Sequence, residues 1–341
     1  MGFREKINDP SQSVVVYEMI PPLLGARPRE VRARVERLRP LVMGSGIDAI
    51  NLPEIRDESR GGPRRTHFRP RMEPRVFGRR VREAYQKQGL AVIINRCVAY
   101  THWRNQQRWL IRSWREFGVR NLVIVGGESS QVAYPGPSVT DAAELVTRFL
   151  NRGFGRIRDG RREPLEVATD ICCGGITIPT RRKTTPAWDE PNRLVEKAKH
   201  GLQFFTSQVI YEGKSTQRLL ADYEALCRER GTRPRRILLS FAPISGERDI
   251  SFLQWLGVEI PERVRRYILG NGEGATSRSI EVAGRVLEEI LEFVSERELT
   301  VPLGLNIEYI LVRNFEVSLE MVESLSNVLV GRPGRATKAR T

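Results

Sequence analysis

The stretch Ser13-Val-Val-Val-Tyr-Glu-Met-Ile-Pro-Pro22 puts one acid at the end of an apolar, β-branched run that two prolines then stop. Such a run reads as a buried strand, and the prolines prevent both its extension and an immediate helix. Glu18 therefore sits where a strand hands over to a loop, an unfavourable place for a charge. A carboxyl group held there against apolar neighbours has a raised pKa, which prepares it to donate a proton near pH 7. The competing assignment is an ion pair with one of the chain's many arginines.

The elements that would position Glu18 follow a steady rhythm of apolar runs and amphipathic stretches. Strands are predicted over Val14–Met19, Ile47–Leu52, Leu90–Arg96 and Asn121–Val125, then over Glu166–Cys172, Phe204–Ile210, Ile237–Phe241 and Val301–Ile307. Helical patterns lie between them, at Pro28–Leu41, Val76–Lys87, Trp103–Phe117 and Thr140–Leu150, and then at Pro191–His200, Ser215–Arg230 and Ser277–Arg297; Val317–Leu329 follows the last strand. Near-continuous apolar strands suit a parallel sheet buried on both faces. Eight βα units predict a single α/β domain, a (β/α)8 TIM barrel spanning 13–330, after an extension over 1–12 and before a disordered basic tail over 331–341. No G-x-G-x-x-G follows the first strand, which argues against a dinucleotide-binding open sheet. In a barrel the chemistry sits at the C-terminal strand edges. There the chain places Glu18, Asn51, Arg96 and Gly126-Gly127-Glu128, then Cys173-Gly174-Gly175, Gln208, Ser240 and Asn306.

Composition narrows the function classes. The 341 residues include 56 Lys and Arg against 41 Asp and Glu, a net charge of +15. Such an excess attracts polyanions of several kinds. No zinc finger, RNP-like motif or block of basic residues accompanies it, so nucleic acid is not the expected partner. No run approaches the roughly 20 apolar residues that span a bilayer. The first residues carry no hydrophobic signal region, and a cytoplasmic location is expected. The four cysteines show no C-x-x-C, and adjacent Cys172 and Cys173, at the end of a strand-like run, are expected to be reduced and buried. Three histidines without ligand spacing predict no metal site. A homo-oligomer stays open.

Four segments in the right order resemble the methylenetetrahydrofolate reductase family, over roughly residues 13–310. Tyr17-Glu-Met-Ile-Pro-Pro22 is similar to that family's aromatic-Glu-x-x-Pro-Pro strand end. Gly126-Gly127-Glu128 is similar to its Arg-Gly-Asp turn. Val195–Ile210 resembles its Lys-x-x-x-Gly…Thr-Gln run, and Phe252-Leu-Gln-Trp-Leu-Gly-Val-Glu-Ile-Pro261 its segment after strand seven. The resemblance implies reduction of 5,10-methylenetetrahydrofolate to 5-methyltetrahydrofolate, with NADH or NADPH as donor and a flavin, FAD or FMN, between them. It makes Glu18 the general acid, as the only strand-end acid placed for it, and Glu128 the group that stabilises the iminium cation. Gln208, Phe252 and Asn51 would bind the folate. Lys197, Arg96, Gly126, Gly127, Ala142, Gly174 and Gly175 would bind the cofactor.

Departures from the family fall mainly on the flavin side. The loop after the fifth strand reads Cys172-Cys-Gly-Gly-Ile-Thr-Ile-Pro-Thr-Arg-Arg-Lys183, without the family's tyrosine and histidine. Gly174-Gly175 and the basic residues after them could still serve phosphates. A folate-binding or one-carbon transfer barrel that has lost flavin is the alternative, and a basic nucleic-acid-associated barrel a third. Arginine is densest between Arg56 and Arg82, a segment expected over the barrel mouth, where it would meet the glutamate tail of folate or cofactor phosphates, or serve only as a solvated loop.

Overall fold

Period-two alternation gives every apolar run an inner and an outer face, and a closed sheet is the arrangement that buries both. The computed structural model, which describes residues 1–44, 46–57, 67–127, 133–156, 161–181, 189–270, 273–310 and 314–331, shows that closure. The barrel strands are β1 (Val15–Met19), β2 (Ala49–Leu52), β3 (Ala91–Cys97), β4 (Asn121–Val125), β5 (Cys172–Thr177), β6 (Phe204–Val209), β7 (Arg236–Phe241) and β8 (Leu303–Tyr309). All pairs are parallel and neighbours follow chain order, with β8 closing against β1. This is the (β/α)8 barrel expected from the sequence. A small antiparallel hairpin, Phe154–Arg156 with Arg162–Pro164, precedes β5.

The lower half of the barrel is filled by inward side chains such as Val16, Ala49, Ile93, Val123, Phe204 and Leu238. The residues expected as an extension form a helix, Phe3–Asn8, whose Phe3 and Ile7 join that inner cluster. Phe3 meets Phe204 edge-on at 6.0 Å. Arg236 ties the helix end down by donating to the Ile7 carbonyl at 3.1 Å and to the Asp9 carbonyl. With the bottom plugged, an open cavity is left only to the upper half.

Some boundaries differ from expectation, and the differences matter for the site. The fifth strand begins at Cys172 rather than ending there. Gly174-Gly175, expected in the loop after that strand, are instead strand residues that permit close approach. A Cβ on Gly174 would lie 2.4 Å from the Phe204 ring, and one on Gly175 2.6 Å from Leu202. The eighth strand runs to Tyr309, two residues past its expected end. Two further helices, Glu247–Trp255 and Glu262–Leu269, follow β7 where only a motif had been read. The segment Arg56–Arg82 is only partly a loop, since a helix begins at Pro74. The tail 332–341 lies outside the described residues. All four cysteines are buried and unbridged. Among the described residues no helix is long and apolar enough to cross a membrane.

Gly174→Val should destabilise the fold by about 2 kcal/mol or more, because the added branches overlap the buried Phe204 ring. Denaturant unfolding measures this; wild-type stability in the variant would mean that Phe204 has room to turn aside.

Candidate functional site

A cavity of about 800 Å3 opens at the C-terminal ends of the strands. Glu18 is part of its floor. Asn51, the inward residue of β2 at the same level, donates from Nδ2 to Glu18 Oε2 at 2.6 Å. Burial pushes the Glu18 carboxyl up to about 7, against the opposing pull of the Asn51 and Asn95 amides. No arginine or lysine among the described residues offsets that burial. The ion-pair assignment therefore falls, and a carboxyl group poised near neutrality remains.

Sequence reasoning missed the residue beside it. The register of β1 and β8 sets Glu18 opposite Glu308, and both line the cavity. Asn306 Nδ2 donates to Glu308 Oε1 at 3.3 Å. Burial first, and the Glu18 charge second, raise the Glu308 carboxyl well above its ordinary range. Ending the eighth strand at Ile307 hid this acid. The alternation Asn306-Ile-Glu308 after an apolar run was the signal, since it puts both polar groups on one face. Glu18 is thus not the only acid at the strand ends.

The wall opposite is shaped by an irregularity in β6. Its register against β7 shifts between Thr206 and Val209. Thr206, Ser207 and Gln208 all line the cavity, which an unbroken alternating strand could not arrange. Gln208 Nε2 donates to the Leu256 carbonyl at 3.3 Å. Leu256 follows the helix Glu247–Trp255, which brings Arg248, Phe252 and Trp255 to the cavity. Phe252 stacks on Trp255 at 5.7 Å between centroids, forming an aromatic wall. Buried Asp249 fixes the start of this helix by accepting from the Ser245 amide at 2.7 Å and from Asn314 Nδ2 at 2.9 Å.

A cationic side completes the enclosure. Lys197 is buried, not a surface lysine, and donates to the Ile176 carbonyl at 2.6 Å. Burial lowers its pKa to about 8, against the raising influence of Glu190. Glu190 is itself buried and gathers Arg181 at 2.9 Å, Arg193 at 3.5 Å and Lys197 at 3.9 Å. Arg56, Arg69 and Arg71 line the cavity from the β2 side. The backbone of Leu24 donates to Pro70 O and that of Met72 to Pro22 O, which holds this arginine segment against the loop after β1.

Of the residues singled out from the sequence, Glu18, Gln208, Phe252, Lys197, Gly126 and Gly127 line this one cavity. Asn51 reaches it through Glu18. Arg96 points the other way, because period two puts Asn95 inside the barrel and Arg96 outside. It donates to Glu54 at 3.0 and 3.1 Å and lies 4.4 Å from the Trp109 ring. Ala142 is buried in the helix after β4. Gly174 and Gly175 are within β5, paired in register with β4 and β6, not in a phosphate-binding loop. Glu128, together with Arg182 and Lys183, lies outside the described residues. Among those described, no group of three or more His, Cys, Asp or Glu could hold a metal.

No protein-family model and no curated protein matches the chain. Among solved structures it is similar to an uncharacterized protein from Clostridium thermocellum that binds two copies of 5-methyl-5,6,7,8-tetrahydrofolic acid. That likeness has a TM-score of 0.70 at 20% identity and covers 95% of this chain and 99% of the other. A 2,3-dimethylmalate lyase of the PEP mutase/isocitrate lyase superfamily follows at a TM-score of 0.45 and 14% identity, covering 99% and 89%. At these identities the likeness shows the fold.

The raised pKa of Glu18 has a consequence for stability. The folded chain binds this proton more tightly than the unfolded chain, so the stabilisation is complete below the ordinary carboxyl value and is lost as pH rises to about 7. Glu18→Gln should therefore gain about 2 kcal/mol relative to wild type between pH 5 and pH 8. Thermal melts across that range test it; a gap independent of pH would mean that Glu18 is ionised throughout.

Proposed function

We propose that the cavity binds a reduced folate and that the chain reduces 5,10-methylenetetrahydrofolate to 5-methyltetrahydrofolate with hydride from NADH or NADPH. The observation that carries this reading is Glu18, a proton-holding acid on the floor of an open cavity with an aromatic wall and a cationic side. The fold-level likeness to a protein that binds 5-methyl-5,6,7,8-tetrahydrofolic acid supports it. A reduced pterin offers N–H donors to the carboxyl and amide groups below, a flat face to Phe252, and an anionic glutamate tail to the arginines. Gln208 supplies both a donor and an acceptor for an amide-like ring edge.

Reduction begins by opening the ring that holds the methylene carbon. Glu18 gives its proton to the departing nitrogen, the carbon–nitrogen bond breaks, and the other nitrogen becomes an iminium cation. Hydride added to the iminium carbon completes the methyl group. On the family resemblance, Glu128 would stabilise that cation. A flavin, FAD or FMN, would relay the hydride, but the positions assigned to it do not fit one. Of the seven, only Lys197, Gly126 and Gly127 line the cavity.

That mismatch favours a second reading, a barrel that binds folate and transfers or stores a one-carbon group without reduction. An absorbance spectrum of the purified protein, followed by nicotinamide oxidation with methylenetetrahydrofolate, separates the two. Methylenetetrahydrofolate-dependent oxidation is expected, with Glu18→Gln losing about 10²–10⁴ in turnover while 5-methyltetrahydrofolate binding changes little. Binding without oxidation would leave the non-reducing reading, and no binding of either folate would overturn both. Affinity for polyglutamylated over monoglutamylated folate should fall with added salt if the arginine rim receives the tail; equal affinities would remove that role.

A further inference from the structure

Two half-buried carboxyl groups stand side by side on the cavity floor, in a chain that carries fifteen more positive than negative charges. Arginines elsewhere in the molecule pair readily: Glu54 holds Arg56 and Arg96, and Glu190 holds Arg181 and Arg193. Yet among the described residues the hydrogen-bond partners of Glu18 and Glu308 are neutral: Asn51 and Asn95 at Glu18, and Asn306 and Ser240 at Glu308. Adjacent strands run about 4.8 Å apart, so two acids at one register level face each other across a single strand spacing. Like charges that close, out of water, cannot both be ionised at modest cost.

A second observation points to what would sit on them. Asn51 Oδ1, Asn95 Oδ1 and Asn306 Oδ1 are buried acceptors that receive no donor from the described residues. These three residues are themselves at least nine-tenths buried, and Asn95 lines the cavity. The floor is therefore rich in acceptors and short of donors, the complement of a group that brings N–H bonds or positive charge.

We propose that Glu308 is the second half of a two-carboxyl acid, that Glu18 and Glu308 hold one proton between them, and that the ligand seated on the pair is a nitrogen heterocycle with N–H donors, one of whose amine nitrogens takes the proton and departs as a neutral N–H while the cation forms on the ligand's other nitrogen. This deepens the folate reading and rests on it for the identity of the nitrogen. Before transfer the pair carries one negative charge. Glu18 then passes its proton to the ligand nitrogen, the pair becomes doubly negative, and the positive charge appears on the ligand directly above. Proton release and cation formation are coupled electrostatically, so Glu308 stabilises the cationic intermediate as well as keeping Glu18 protonated beforehand.

Several other ionisable groups around the cavity are engaged with partners of their own. Lys197 donates to Ile176 O, and Arg181 and Arg193 are held by Glu190. Asp249 accepts from Ser245 and Asn314. Tyr211, whose hydroxyl donates to the Ala242 carbonyl, stays protonated beside Glu308. Arg56 is taken by Glu54, while His67, Arg69, Arg71 and Arg248 line the same cavity and contribute to its field.

The test uses ligand-free, full-length protein labelled with ¹³C at glutamate carboxyls and titrated by NMR, with Glu18→Gln and Glu308→Gln to assign the two signals. Circular dichroism and thermal melts show whether each variant is folded. In the wild type, at least one of the pair is expected to titrate near or above pH 7. Glu308→Gln should lower the Glu18 midpoint by one unit or more, a tenfold or larger loss of proton affinity, and Glu18→Gln should lower that of Glu308. Midpoints near the ordinary carboxyl range, or a Glu18 midpoint unmoved in folded Glu308→Gln, would overturn the shared proton. Because no folate is present, this outcome is independent of the folate reading. A folded Glu308→Gln protein that keeps wild-type folate turnover, with an unchanged pH profile, would overturn the role of Glu308 in the reaction.

Discussion

Closure of the sheet by pairing β8 with β1 is the contact on which the remaining geometry depends. The two strands are separated by almost the whole chain, yet their register runs unbroken from Val15 against Leu305 to Met19 against Tyr309. A slip of one residue would turn Glu18 or Glu308 out of the barrel and expose an apolar face, so the buried hydrophobic pattern also fixes where the acids stand. Filling below reinforces this. Phe3, Ile7 and Phe204 occupy the bottom, beneath the two acids.

The electrostatics of the molecule run against its composition. A strongly basic chain keeps its cations on the outside and around the walls and rim of the cavity, and leaves an acidic, amide-rich floor within. Glu190 moderates the cationic side by gathering two arginines and a buried lysine, so that group is held in place without being fully neutralised. Glu54 does the equivalent at another edge of the cavity, holding Arg56, which lines it, and Arg96, which turns outward against Trp109. The result is a cavity polarised from acceptor floor to cationic rim, suited to a ligand with a donor-rich head and an anionic tail.

Glycine and irregularity shape the site as much as charge does. Gly174 and Gly175 carry no side chain because Phe204 and Leu202 occupy the space, and the loop expected there is part of a strand. The shift in β6 presents three successive residues to the cavity, Gln208 among them. Neither feature belongs to a regular barrel, and both lie next to the proposed chemistry, where local departures from ideal pairing are commonly placed.

Much of this was legible in the residues. Continuous apolar runs at regular spacing gave eight strands and a barrel, because burial on both faces leaves no polar alternation to disguise a strand. Glu18 was legible for the same reason: an acid ending such a run, stopped by Pro21-Pro22, has few other uses. Six of the singled-out residues do meet in one cavity. What only the tertiary structure decided were facts about neighbours. Local sequence cannot show that Phe204 needs the space at Gly174, that Asn95 rather than Arg96 faces inward, or that β8 extends to Tyr309. Least of all could it show that Glu308, 290 positions after Glu18, is the residue beside it. That proximity comes from closing a sheet of eight strands, and pairing across closure is set by the sum of all the registers between, not by any one segment.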